Sequence, residues 1–379
     1  MTETATMSSR DLAADRQALA RRLRGLIFWV TLILAIFGTV MVFSSSTVLS
    51  YKNHDNAYTY GLRHALSVLA GWLLLWVFSR VVASRWRALT LAAVIMSMAL
   101  LVTAMVYGAA IGGQRNWIKV PGTTIQPSEF AKIALILSVA AALASRQDQR
   151  RPWREIWLPV LAVAGLTIGM VTAGGDFGTP LIMVAIVAVV VFAAGASLKP
   201  FAYLVIGGLL AGFALVQTKG YRMDRLDAWF DPFNHPDAAG YQSIHGRFAL
   251  GGGGILGEGL GSGREKWGGL PAAHTDFILA AIGEETGLVG ATVVIAALVA
   301  LTVAIFRLAL LQRDLFARYV CVGLAGWIGV QTIVNCAMVV GLAPVVGVTL
   351  PLISFGGSSM LATLMGIGIA LSYCRASEA

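Results

Sequence analysis

Ten stretches of this chain are apolar over lengths that no soluble fold hides. They run approximately over 25–46, 64–82, 88–111, 126–145, 156–173, 179–196, 200–217, 276–306, 317–342 and 355–374. A helix crosses about 30 Å of hydrocarbon in roughly 20 residues. Lipid offers the backbone no hydrogen-bond partner, so each run is expected to be a helix that satisfies its own amides and carbonyls. A membrane β-barrel would show short alternating segments instead, and the sequence has none. Composition agrees, with 57% hydrophobic and 12% charged residues against about 25% charged in a typical soluble domain. The expected fold is all-α and polytopic, with about ten transmembrane helices.

The net charge of +9 is placed in a way that argues for topology and against a nucleic-acid partner. With the N-terminus inside, the inner segments hold Arg10, Arg16, Arg21, Arg22, Arg24, Arg80, Arg85, Arg87, Arg146, Arg150, Arg151, Arg154, Lys199, Arg307, Arg313, Arg318 and Arg375. The short outer loops hold Lys52, Arg63, Arg115 and Lys119. Seventeen against four is a strong positive-inside asymmetry. Both termini are therefore expected in the cytoplasm, with tails at 1–24 and 376–379, a transmembrane domain at 25–375 and one large extracytoplasmic loop at 218–275. That loop is rich in glycine and aromatic residues and is expected to be functional and ordered. Residues 1–24 are polar and arginine-rich, and the run after them is too long for a cleavable signal. Cys321, Cys336 and Cys374 lie in or beside apolar segments without CxxC spacing, so they read as small hydrophobes rather than disulfides or metal ligands.

Charges at membrane depth are costly and each needs a reason. Glu129 and Lys132 fall in the first turns of the fourth run, on one helical face at i,i+3, after a Gln126-Pro127 start suited to a helix N-terminus. They are either a structural ion pair or a polar wall of an outward-facing cavity. Asp276 opens the eighth run, where a helix-capping role and a catalytic one are equally open. Glu284 and Glu285, two turns deeper, are expected to pair with polar groups on neighbouring helices. Asp176 sits in the short turn Gly174-Gly175-Asp176-Phe177-Gly178 and alone reads as a turn residue. The topology nevertheless brings Arg115, Glu129, Lys132, Asp176 and Asp276 to the outer end of the bundle. Such a group can hold a diphosphate and activate a hydroxyl. Gly252-x-Gly254-x-x-Gly257 matches a dinucleotide fingerprint formally, but it follows no strand of a βαβ unit and is read as a tightly turned loop. His274 near Asp276 has no suitably spaced second histidine, so no metal site is expected.

Four stretches resemble a known family. They are Arg115-Asn116-Trp117-Ile118 with Gln126-Pro127-Ser128-Glu129-Phe130-Ala131-Lys132; Gly240-Tyr241-Gln242 with the glycine run and Leu270-Pro271-Ala272-Ala273-His274-Thr275-Asp276-Phe277; Glu284-Glu285-x-Gly287; and Gly341 through Ser359. Over about 25–375 the chain resembles the SEDS proteins (shape, elongation, division and sporulation), the membrane glycosyltransferases that include FtsW and RodA. The resemblance implies polymerisation of lipid II into glycan strands with release of undecaprenyl diphosphate. It also implies a class B penicillin-binding protein as partner, among other divisome or elongasome membrane proteins and membrane lipids, in the bacterial cytoplasmic membrane. It puts the family's essential aspartate on Asp276, as catalytic base. The expected substrate-binding residues are Arg115, Trp117, Gln126, Ser128, Glu129, Lys132, Asp176, Tyr241, Gln242, Lys266, His274, Thr275, Ser354, Ser358 and Ser359. Positive charge for the leaving diphosphate is expected from Arg115, Lys132 or an added divalent cation, Mg or Mn. Gly174-Gly175 before Asp176, and His245-Gly246 after Gln242, depart from the family pattern. Tyr241-Gln242, Gly259-Leu260-Gly261, Ala273-His274 and Val348-Thr349-Leu350-Pro351 lean towards FtsW, and Pro344-Val345-Val346-Gly347 towards RodA. Two other readings stay open: a lipid II flippase, which would show alternating access, and a non-catalytic scaffold for the penicillin-binding protein, which would tolerate Asp276→Ala.

Overall fold

The computed structural model describes residues 9–111, 114–120, 123–145, 153–195, 202, 228–235 and 239–378. Along the chain come α1 (Ser9–His54), α2 (Thr59–Arg80), α3 (Arg85–Tyr107), β1 (Ala109–Ile111), β2 (Gln114–Val120), β3 (Thr123–Ile125), α4 (Pro127–Ala144), α5 (Trp153–Ala173), α6 (Gly178–Ala193), α7 (Ala239–Gly252), α8 (Ile278–Leu311), α9 (Leu315–Val339) and α10 (Gly357–Glu378). Among the described residues, seven helices are long and apolar enough to cross a membrane: α1, α2, α3, α4, α8, α9 and α10. The runs expected at 156–173 and 179–196 appear as shorter apolar helical stretches, Trp157–Ala173 of α5 and Gly178–Ala193 of α6. The run at 200–217 falls almost wholly outside the described residues, as do 218–227 of the large loop.

The sequence reading is corrected at several boundaries. The described part of the first 24 residues is helical, because α1 begins at Ser9. Its Ala- and Leu-rich start is made of strong helix formers, and Ala20 and Leu23 are already buried. At the other end α10 continues through Glu378, so the tail expected from 376 is helical as far as it is described. The run at 88–111 ends as helix at Tyr107. The chain then forms a small antiparallel sheet in the order β1-β2-β3, with Ala109 opposite Trp117 and Ile118 opposite Ile125. The large loop contains α7, whose Ala249 and Ser243 are buried.

Burial sorts the helices. In α4 nearly every residue from Pro127 to Leu137 is buried, and α9 and α10 pack most of their surface inward. In α2, Leu62, Leu66, Leu69 and Leu73 are exposed, as are Leu91, Ile95 and Met96 of α3. Large apolar side chains in that position face lipid, which is their solvent. The polar ends of α4, α9 and α10 therefore meet inside the bundle, where the candidate site lies.

The eighth run is two helices and not one. Gly287 has φ 70° and ψ −172°, a region open essentially to glycine alone. The break would leave backbone groups unpaired in an apolar setting, at a cost of a few kcal/mol each. The glycine run supplies them. Glu258 N donates to Glu284 O at 2.9 Å, and Gly259 N to Glu285 O at 3.0 Å. In return Leu288 N donates to Gly254 O at 2.9 Å, and Val289 N to Ile255 O at 3.2 Å. A Cβ on Gly257 would collide with Glu285 O, so the loop needs glycine there to come close enough. The formal dinucleotide pattern is thus a backbone splint for a broken helix.

Candidate active site

Asp276 lies in the tight turn that leads into α8, one residue before the helix's N-cap, Phe277. Ala272 takes a positive φ of 59°, and its carbonyl accepts from Thr275 N at 3.0 Å and Phe277 N at 3.4 Å. Three other parts of the chain hold this turn. Asn335 of α9, fully buried, donates Nδ2 to Asp276 O at 2.8 Å and to Val348 O at 2.7 Å. Phe355 N donates to His274 O at 2.8 Å. The Phe277 ring is fully buried against Gly246 of α7. The Asp276 side chain stays half-buried, and Thr275 Oγ1 lies 2.8 Å from its Oδ1. The aspartate's backbone is therefore fixed from three directions while its carboxylate sits at a partly open surface.

The expected polar group at the start of α4 is present, and its wiring decides what it can do. Lys132 Nζ lies 2.9 Å from Glu129 Oε2, with both side chains almost fully buried. Nζ also donates to Gln331 Oε1 at 3.0 Å and sits 4.7 Å above the Trp327 ring. Gln331 Nε2 donates to Thr349 O at 2.8 Å, and Thr349 Oγ1 is 2.9 Å from Ser359 Oγ. α4 and α9 are thus joined to the segment that carries Val348, whose carbonyl shares Asn335 with Asp276. Lys132 is neutralised and enclosed, so it is a positioning group for α9 rather than a free cation.

Asp176 caps α6: Thr179 N and Oγ1 donate to it at 3.0 and 2.7 Å, and Gln126 Nε2 at 3.2 Å. Burial raises its carboxyl above the ordinary carboxylate range, against the lowering by the two Thr179 bonds. Arg115 N donates to Gly174 O at 2.9 Å, which ties β2 to this turn, while the Arg115 side chain is exposed.

Beside the Asp276 turn lies a cavity of about 590 Å³. Tyr60, Arg63 and Ser67 of α2, Trp117 and Lys119 of β2, Thr123, Thr124, Thr275 and Phe355 to Gly357 form its walls. One wall is an aromatic cluster in which His274 packs 5.3 Å from Tyr60 and 5.4 Å from Phe355. Burial lowers the His274 imidazole to about 4, so it is neutral at pH 7. Trp117 and Thr275 were expected here. Arg63 and Lys119, which put two cations on the cavity wall, were counted in the sequence only as topology charges.

The remaining expected residues lie apart from the cavity or hold it together. Lys266 Nζ is 3.0 Å from Glu285 Oε1 and reaches Ser44 Oγ at 3.4 Å, so it is enclosed too. Glu284 accepts from Arg264 N at 2.6 Å and Glu265 N at 3.0 Å. Both glutamates therefore grip the large loop, and among the described residues Ser44 of α1 is the contact from a neighbouring helix, the kind of partner the sequence reading had expected for both. Tyr241 stacks 4.1 Å from His245, with the half-buried Gln242 beside it on α7. Ser354 Oγ accepts from Leu350 N at 2.7 Å, and Ser358 Oγ from Gln126 N at 2.8 Å. Ser128 is buried, and among the described residues its hydroxyl finds no hydrogen-bond partner. Among the described residues no three His, Cys, Asp or Glu side chains gather as a metal site.

Residues 24–378 match the family model of the FtsW, RodA and SpoVE proteins, described as cell cycle protein. The chain is 37% identical over 360 residues to a probable peptidoglycan glycosyltransferase FtsW of Geobacter sp. (strain M18), covering 93% of this chain and 97% of that one. It is 34% identical over 355 residues to stage V sporulation protein E of Bacillus subtilis (strain 168), with the same coverage of 93% and 97%. Among solved structures, a chain of a peptidoglycan synthase complex that coordinates polymerization and crosslinking superposes with a TM-score of 0.73 at 28% identity, over 93% of this chain and 97% of that one. The Thermus thermophilus rod shape determining protein RodA superposes with a TM-score of 0.68 at 28% identity, over 93% and 96%. On the family model and these relatives together, the chain belongs to the FtsW, RodA and SpoVE family, the SEDS proteins, and is FtsW-like within it.

Proposed function

We propose that this chain, a multi-pass membrane peptidoglycan glycosyltransferase, joins lipid II units at the cavity beside Asp276, with that end extracytoplasmic and both termini cytoplasmic. The seventeen-to-four distribution of lysine and arginine supports the orientation. The observation that carries the site is the cavity itself. Thr275, bonded to the Asp276 carboxylate, lines one side of it, and Arg63 and Lys119 line another.

The reaction needs a base and an anion site. The acceptor sugar's 4-hydroxyl gives its proton to Asp276 as its oxygen bonds to the anomeric carbon of the growing strand. The bond from that carbon to the diphosphate oxygen breaks, and undecaprenyl diphosphate leaves with the electron pair. Attack opposite the leaving group turns the α-linked donor into a β-1,4 bond, so one base suffices. Arg63 and Lys119 stabilise the departing diphosphate. They take the part first assigned to Lys132, which Glu129 already neutralises, and exposed Arg115 remains a second candidate. A divalent cation, Mg or Mn, would arrive on the diphosphate, because the cavity wall offers hydroxyls and cations rather than a set of carboxylates. Glu129 and Lys132 hold α9, and through Asn335 the Asp276 turn. Strands made here pass to a class B penicillin-binding protein for crosslinking.

Polymerisation of lipid II by purified protein with its cognate penicillin-binding protein tests this reading. Asp276→Asn is expected to lower the rate by about 10²–10⁴. Equal strand formation by wild type and variant would overturn it.

A further inference from the structure

A cavity of about 780 Å³ lies at the opposite end of the bundle, between α1, α2 and the end of α10. Its chemistry is divided. Arg21, Arg24, Arg80 and Arg375 form a basic rim, while Phe28, Trp72, Trp76 and Leu371 form an apolar floor. Existing contacts preorganise the rim. Arg80 lies 5.3 Å from the Trp76 ring, Arg375 Nη1 donates to Ser79 O at 3.1 Å, and Arg24 Nη1 pairs with Glu378 Oε2 at 3.0 Å. One glutamate against four arginines leaves an excess of positive charge facing the cavity.

We propose that this cavity binds one anionic phospholipid of the surrounding leaflet. Guanidinium groups match phosphate oxygens in charge and planar geometry, and basic pockets between transmembrane helices suit anionic headgroups. The apolar floor decides for a lipid over a soluble phosphate. Leu26, Trp29, Leu73 and Val77, next to lining residues along α1 and α2, are all exposed, and Trp29 packs 5.3 Å from Phe28 of the floor, which gives an acyl chain apolar surface to follow into the hydrocarbon. Trp72 and Trp76 stand where the charged rim meets the apolar wall, the level at which tryptophan sits at a membrane interface. The site is independent of the Asp276 cavity and of the reaction proposed there.

Native mass spectrometry of the full-length protein in detergent, titrated with phosphatidylglycerol, phosphatidylethanolamine or soluble glycerol phosphate, tests the proposal. Wild type is expected to retain one phosphatidylglycerol, with neither of the other two competing. The Arg21→Gln, Arg80→Gln double variant should bind it about thirtyfold more weakly. The Arg85→Gln, Arg87→Gln variant removes the same charge from the same end outside the cavity and should bind as wild type does. Equal losses in both variants, or no loss in the first, would overturn the site. So would equal retention of phosphatidylethanolamine or displacement by glycerol phosphate in wild type, a result that needs no variant to fold.

Discussion

Lys132 meets Glu129 at 2.9 Å within one turn of α4, whereas Lys266 meets Glu285 at 3.0 Å from the large loop to the broken helix α8. Both lysines are enclosed and both carboxylates buried, yet the pairs stabilise different things. The first joins two continuous helices, α4 and α9, through Gln331 and Trp327. The second fastens an irregular segment to a helix that has lost its own backbone bonds at Gly287. Glu285 also accepts from Ser44 Oγ at 2.6 Å and Gly261 N at 3.0 Å. A pair within a helix therefore sets the frame for Asp276, and a pair across chain segments latches the glycine-rich loop to α8.

Removing one lysine from each pair breaks the comparison most sharply. Lys132→Ala leaves Glu129 buried without its cation and should cost about 3–5 kcal/mol, read as a lower denaturation midpoint in detergent. Gly287→Ala should cost about 2–3 kcal/mol, because a Cβ there would collide with Ile255 O in a backbone conformation closed to alanine. Its signature is protease cleavage within 254–266. Lys266→Ala should cost about 1–3 kcal/mol, since Ser44 and Gly261 still satisfy Glu285, and should speed hydrogen exchange in 258–266 without touching α4. If Lys266→Ala destabilises more than Lys132→Ala, the assignment of frame and latch is reversed. The smallest effect at neutral pH belongs to His274. Its folded value of about 4 lies below the ordinary 6.5, so the unfolded chain binds more protons between those values. Stability is full above 6.5 and falls as pH drops towards 4. His274→Phe should make the fall in melting temperature across that window shallower and leave the value at pH 7 unchanged.

Much of this frame was legible in the residues, for physical reasons. Apolar length marked the spans because lipid demands it. The i,i+3 spacing of Glu129 and Lys132 marked their pair because both lie on one face of one helix. The Lys266–Glu285 pair was hidden because its partners depend on how a loop returns, which no local periodicity encodes. The break at Gly287 did leave a signal: two acids and a glycine within an apolar run are a helix-ending pattern. Gln331 and Asn335, polar at i,i+4 in an apolar helix, pointed towards the site in the same way. The sheet of 109–125 was masked by its short strands, and Arg63 and Lys119 by their use as topology charges.

The central claim is a division of labour at the cavity, with Asp276 as the base and Arg63 and Lys119 as the diphosphate site. Measuring lipid II affinity and single-turnover strand extension on the same preparations of Asp276→Asn and Arg63→Gln tests it most directly. The account predicts that Asp276→Asn binds lipid II like wild type but hardly extends strands, and that Arg63→Gln loses affinity about tenfold or more. An Asp276→Asn protein that loses affinity as steeply as extension, or extends strands at the wild-type rate, would contradict it.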